Sequence, residues 1–225
     1  MCYSAMVVQN LKILEKLFLA HPVKQSFAEY EQKSQYDPKH FKPLNEHPRI
    51  YPGYFAPLIL VEKNERVIKP MRYRLRPSWA EHEIPSKYNV FNARVDALET
   101  RKSWQGIFMR HHGLLVFEKF YEWVTDKKTG KKKIVSFYPA DRELMWAPCL
   151  WDHWSDGQQS LESFAIITTD PPPEISEAGH DRCPLFLRED HIETWLHPEK
   201  VSKKAMYKVL GQKEDAQFLS ADASA

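Results

Sequence analysis

The chain has 225 residues, more than one average domain and less than two, and 43% hydrophobic content with 7 Trp, 10 Tyr and 12 Phe excludes a mainly disordered protein. Only 7 glycines occur, with no GxGxxG or GxxxxGK run, which argues against glycine-rich phosphate cradles; 32 basic residues against 30 acidic leave +2, so attraction to a polyanion has to come from local clustering. Cys2, Cys149 and Cys183 lie far apart without a CxxC pair, and neither an apolar run of membrane-spanning length nor a secretory leader is found, so the expectation is a cytoplasmic monomer without cofactor, metal or membrane span.

Leu11, Ile13, Leu14, Leu17 and Phe18 fall mostly at helical spacing and predict an amphipathic helix over 11–19, closed by His21-Pro22. A weaker helix is expected over 27–35, followed by an irregular surface stretch marked by Pro38, Pro43, Pro48, Pro52 and Pro57. Residues 58–61 and 66–68 read as a hairpin. In 71–76 strict alternation predicts a strand with Met71, Tyr73 and Leu75 inward and Arg72, Arg74 and Arg76 on the other face. A helix is expected over 95–104. Short strands follow at 114–117, 121–124, 134–138, 144–150 and 164–169, with a hairpin turn at 126–130 and a stop at Pro171-Pro172-Pro173. Helices are expected again at 190–196 and 201–210, inside one domain spanning 1–213, with 214–225 as a flexible tail. Consecutive hairpins without a βαβ pattern give an α+β class, a mainly antiparallel, bent, barrel-like sheet flanked by helices.

Trimming of Met1 would leave Cys2 as a 1,2-aminothiol. An α-amine with a pKa of about 7.7–8.0 is roughly a tenth neutral at pH 7, against about 0.04% for a lysine near 10.4, so it is the better Schiff-base nucleophile. The neighbouring thiol can then close a thiazolidine on an aldehyde. The bland alternative is that Cys2 is an arbitrary second residue. Glu122, inside Tyr121-Glu122-Trp123, is either an acid/base group of raised pKa or a solvent-facing residue on a half-exposed sheet. His180, in His180-Asp181-Arg182-Cys183-Pro184, is capable of proton transfer. Arg72, Arg74 and Arg76 suit a phosphate track or a plain solvated face, and Trp79, Trp104 or Trp123 offer stacking surfaces for bases. The lysines from 127 to 133 read as a soluble hairpin tip. His111-His112, Asp152-His153 and His191 with His197 lack ligand spacing, so no metal is expected.

Met1-Cys2, Asn92-Ala93-Arg94, Tyr121-Glu122-Trp123 and His180-Asp181-Arg182-Cys183-Pro184, in this order and at these separations, resemble the SRAP family of SOS-response-associated peptidase-like proteins. The resemblance runs from Cys2 to about His197. It implies a compact β-rich fold and a protein that senses abasic sites in single-stranded DNA and crosslinks to them through the N-terminal cysteine. It further implies that Cys2 is the nucleophile, Asn92 orients it, Glu122 shuttles protons, His180 is a second acid/base or oxyanion partner, and Arg94 holds phosphate. Tyr3-Ser4 replaces the family's usual Gly-Arg, Asp96 a usual Glu and Cys183 a common Met. The basic residue missing at position 4 leaves Arg72, Arg74 and Arg76, with Trp79, as expected DNA contacts.

Three functions compete: a crosslinker or lyase at abasic DNA, nucleoid-associated when bound; an N-terminal-nucleophile amidohydrolase or peptidase; and a non-catalytic nucleic-acid reader with Cys2 inert.

Overall fold

A computed structural model describes residues 3–42, 44, 48–125, 129–214 and 216–223. In chain order its elements are β1 (Ser4–Val7), α1 (Leu11–Phe18), β2 (His21–Pro22), α2 (Lys24–Tyr36), β3 (Arg49–Ile50), β4 (Phe55–Glu62), β5 (Glu65–Tyr73) and β6 (Asn92–Arg94). Then come α3 (Lys102–Gln105), β7 (His112–Thr125), β8 (Lys132–Pro139), β9 (Met145–Ser155), β10 (Ser160–Thr169), α4 (Pro173–Glu177), β11 (Cys183–Pro184), α5 (Ile192–Leu196), α6 (Lys203–Gly211) and β12 (Phe218–Asp222).

Strands β4, β5, β10, β9 and β7 pair in a ring that returns to β4, closing a five-stranded barrel in which only the β5–β10 contact is parallel. Period-two alternation along these strands serves two cores at once. Leu58, Leu60, Leu115, Phe117, Phe164 and Ile166 pack inside the ring. Their neighbours Ile59, Leu114, Val116, Ala165 and Ile167 pack outside it, against Leu14 and Phe18 of α1, Trp195 of α5 and Met206 of α6. Continuous burial from Phe55 to Leu60 in β4 follows from this double coverage. The expected α+β class with a barrel-like, mainly antiparallel sheet is what is found.

The β4–β5 hairpin closes through Lys63 and Asn64, at φ 50° and 65°, a two-residue turn whose twist matches the strands. Where β7 crosses β4, a Cβ at Gly113 would lie 2.6 Å from Leu58 Cδ2 and 3.3 Å from the Ile59 carbonyl oxygen, so the crossing needs glycine.

Four expectations are corrected. Residues 95–104 do not form one helix: a 3-10 turn at Val95–Ala97 and the four-residue α3 replace it, because the Ala97 carbonyl accepts from both Thr100 and Arg101 and the chain turns there. The strands expected at 114–117 and 121–124 are one 14-residue strand, since pairing to β1 continues past the exposed Glu118. The strand of 71–76 stops at Tyr73, and Arg74 adopts φ 142°. The expected flexible tail contains β12, which pairs with β8 and sets Phe218, 5% exposed, against Phe186 at 4.8 Å and Phe120 at 6.3 Å. Burial of one phenylalanine and five residues of strand pairing outweigh its small polar composition. Of the turn expected at 126–130, residues 126–128 lie outside the described residues. No helix among the described residues is long and apolar enough to cross a membrane.

Candidate functional site

A cleft of about 430 Å³ opens where β6, β7 and the loop before β11 converge on one end of β10, with Tyr3, Asn92, Arg94, Glu122, Trp123, Thr168 and His180 among its walls. Strand β10 sets the arrangement. Asn92, Ala93 and Arg94 pair in parallel with Ile166, Ile167 and Thr168, while Pro184 and Cys183 pair with Thr168 and Thr169 on the other edge. The approach to β6 is shaped by Asn89, whose side-chain oxygen accepts the backbone N–H groups of Phe91 at 3.1 Å and Asn92 at 3.0 Å. Asn92 is 4% exposed, and its Oδ1 accepts from the Tyr73 hydroxyl at 3.4 Å.

Glu122 is only 2% exposed, which decides between the two readings of the sequence: it is a buried carboxyl. Burial pushes its pKa up from the ordinary carboxylate value, partly opposed by the hydrogen bond to His180. His180 Nε2 lies 3.2 Å from Glu122 Oε2. On the other side of the ring, Nδ1 sits 2.7 Å from the Arg182 carbonyl oxygen. The Arg182 N–H also lies 3.3 Å from Nδ1, so the backbone of the loop brackets this ring nitrogen while Nε2 faces the Glu122 carboxyl. An imidazole and a buried carboxyl at this distance are able to exchange a proton.

Arg182 holds this loop in place. It is 8% exposed, donating to Asp170 Oδ1 at 2.6 Å and to the Thr168 carbonyl at 3.2 Å. Next to it, burial pushes the Cys183 thiol up to about 12, so this cysteine is no thiolate nucleophile at neutral pH.

The structure brings Asn92, Arg94, Glu122 and His180 to one cleft; Cys2 lies outside the described residues, and Tyr3, next in sequence, lines the cleft. Arg94 is half exposed and held bidentately by Asp96 at 2.9 and 2.6 Å. The expected arginine face is not formed. Arg72 is 8% exposed and bound to Glu83 at 2.8 and 3.1 Å, Arg74 donates to the Ile84 carbonyl, and Arg76 lies over the Trp154 ring at 3.2 Å. With the strand ended at Tyr73, the three guanidiniums satisfy internal partners and do not line up toward solvent. Trp79 is 46% exposed with the Lys102 ammonium 4.0 Å from its ring centroid, Trp104 is buried, and Trp123 stands on the cleft wall. Sequence reasoning missed Asn89, Arg101, Thr168 and Arg182 as parts of the site. Only Arg182 carried a signal, its place in the His180 cluster.

The model of the SOS response associated peptidase (SRAP) family matches residues 1–223, and the chain belongs to this family. It is 27% identical over 181 residues to the abasic site processing protein YoaM of Bacillus subtilis, with 78% of each chain covered. It is 26% identical over 187 residues to the abasic site processing protein HMCES of Pongo abelii, covering 70% of this chain and 52% of that one, so the match spans about half of that relative's length. Crystal structures of proteins from Bacteroides thetaiotaomicron (TM-score 0.74, 19% identity, 98% and 91% of the two chains) and Bordetella bronchiseptica (TM-score 0.73, 18% identity, 100% of both) share the fold.

Proposed function

We propose that this protein processes abasic sites in single-stranded DNA and joins covalently to them through Cys2 once Met1 is removed. The observation that carries the reading is the buried Glu122–His180 pair in the cleft whose wall includes Tyr3. The relatives named abasic site processing proteins support it.

The chemistry needs a mobile proton at each step. An abasic deoxyribose is mostly a closed hemiacetal, so a proton must reach the ring oxygen while the anomeric hydroxyl gives one up. Glu122, whose protonated form burial favours, is the donor, and His180 Nε2 takes up the hydroxyl proton and returns it to the carboxyl. The free α-amine of Cys2 then adds to the C1′ aldehyde. The resulting carbinolamine hydroxyl leaves as water with a proton from the same pair, forming an imine. Addition of the Cys2 thiol to the imine carbon, its proton passing to nitrogen, closes a thiazolidine. Asn92 orients the N-terminal residue and Arg94 meets a phosphate.

The test is incubation of methionine-trimmed protein with an abasic single-stranded oligonucleotide, followed by a denaturing gel and intact mass. The expected product has the summed mass of protein and DNA less one water, and protein retaining Met1 gives none. Only unmodified protein, with Met1 shown to be absent, would overturn the reading.

A further inference from the structure

Tyr73 ends β5 with its hydroxyl in the apolar interior. The side chain is fully buried, stacked on Phe164 at 5.4 Å and edge-on to Phe91 at 5.7 Å, within the core inside the ring. Phenylalanine would fill the same space, and a buried hydroxyl costs stability unless a hydrogen bond compensates it. Here it donates to Asn92 Oδ1 at 3.4 Å.

The main chain around both residues is fixed. The Tyr73 N–H donates to the Tyr54 carbonyl at 2.7 Å, and the Tyr73 carbonyl accepts from the Gly53 N–H at 2.6 Å. The next residue, Arg74, sits at φ 142°, a conformation that favours glycine, with its N–H donating to the Phe164 carbonyl at 3.1 Å. Such a backbone persists only where its surroundings over-determine it. On β6, Asn92 is tied by pairing with Ile166 and by the Asn89 side chain, which accepts its N–H at 3.0 Å. With the backbone pinned, the freedom left to Asn92 is rotation of its carboxamide, whose donating and accepting ends have nearly the same shape. The Tyr73 contact opposes that rotation.

We propose that Tyr73 is a positioning residue for adduct formation, its hydroxyl holding the Asn92 carboxamide in the orientation in which Asn92 serves the N-terminal residue; this rests on the reading of the cleft given above. Asn92 stands on the cleft wall and Tyr73 is buried behind it, so the tyrosine acts through the asparagine and not on the DNA.

The experiment compares Tyr73→Phe with Tyr30→Phe, which removes another buried hydroxyl, the one on α2 that donates to the Lys42 carbonyl. Thermal melting checks that both variants fold. Methionine-trimmed protein is mixed with an abasic single-stranded oligonucleotide under single-turnover conditions. Tyr73→Phe should lower the limiting rate about three- to tenfold, the range that one neutral hydrogen bond supplies, and leave the half-saturating DNA concentration unchanged. Tyr30→Phe should change neither. A second arm needs no DNA: in NMR spectra of isotope-labelled protein, the side-chain NH2 signals of Asn92, identified by their loss in Asn92→Ala, should move in Tyr73→Phe and stay in place in Tyr30→Phe. An unchanged limiting rate in Tyr73→Phe, an equal loss in Tyr30→Phe, or Asn92 signals that do not move overturns the proposal. Absence of any adduct from the unaltered protein counts against the covalent reading and takes the positioning role down with it; an adduct formed equally fast by Tyr73→Phe counts against the tyrosine alone.

Discussion

His180 is held between two oxygens, the Arg182 carbonyl 2.7 Å from Nδ1 and Glu122 Oε2 3.2 Å from Nε2. The backbone contact holds the ring in place and leaves imidazole and carboxyl close enough to exchange a proton. Glu122→Gln retains the shape and removes that exchange. It should slow adduct formation by about 10²-fold under single-turnover conditions, with little change in DNA affinity. An unchanged rate would assign Glu122 a packing role.

The raised pKa of Glu122 fixes the direction of the pH response. The proton-donating form survives to higher pH than in an ordinary carboxyl, and the rate falls once pH passes that raised value. Towards acid the α-amine is increasingly protonated, and the rate falls there too. A bell-shaped profile that loses its alkaline limb in Glu122→Gln is the expected outcome; an alkaline limb that survives would point to another acid.

Arg94 is neutralised in place by Asp96. Asp96→Asn should therefore tighten non-covalent binding to single-stranded DNA severalfold, by freeing the guanidinium and removing a like charge from the phosphate's surroundings. Arg94→Ala and Arg101→Ala should flatten the salt dependence by about 0.7 each, whereas Lys132→Ala at the β7–β8 tip should not. Arg72→Ala should show chiefly as a lower Tm, about 2 kcal/mol of stability, because its charge is committed to Glu83. Salt slopes that respond only to Lys132 would put the DNA on the other end of the sheet.

His112 is a buried histidine with a structural task. Its Nδ1 donates to the Trp195 carbonyl at 2.8 Å, its Nε2 accepts from the Met109 N–H at 3.1 Å, and burial lowers its pKa to about 4. Unfolding restores the ordinary value near 6.5, so the unfolded state binds the extra proton first as pH falls. The stability this group confers is complete above pH 6.5 and is lost progressively down to about pH 4, by about 3 kcal/mol. Denaturant titrations across that window should show the decline, and an NMR titration with a His112 midpoint near 6.5 would falsify the assignment.

Phe218→Ala removes the ring that β12 inserts beside Phe186 and Phe120 and should cost about 3 kcal/mol. Chemical denaturation measures it. A loss of only a few tenths would mean that β12 contributes little to the fold.

Local patterning was enough for the elements whose partners are close in the chain. The β4–β5 hairpin, the helix of Leu11–Phe18 and the inward pair Met71 and Tyr73 follow from periodicity and turn chemistry, because adjacent residues alone fix which way a side chain points, whereas Leu75, beyond the end of the strand, packs in the outer core. Four motifs in order carried the family. Direction, however, is not coverage. Alternation set Glu122 apart from Tyr121 and Trp123 but could not tell that the loop carrying His180 closes over it, since that contact joins β7 to a segment beyond β10. The same limit applied to Arg72, Arg74 and Arg76, whose spacing suggested an outward row until Glu83 and the carbonyls of a later loop took up their charge. It applied again to residues 220–222, small and polar enough to read as a frayed end, which continue a strand only because β8 offers an unpaired edge. Period two belongs to one strand, whereas burial, ion pairing and edge pairing depend on which distant segment arrives to complete them, and only the closed barrel decides that.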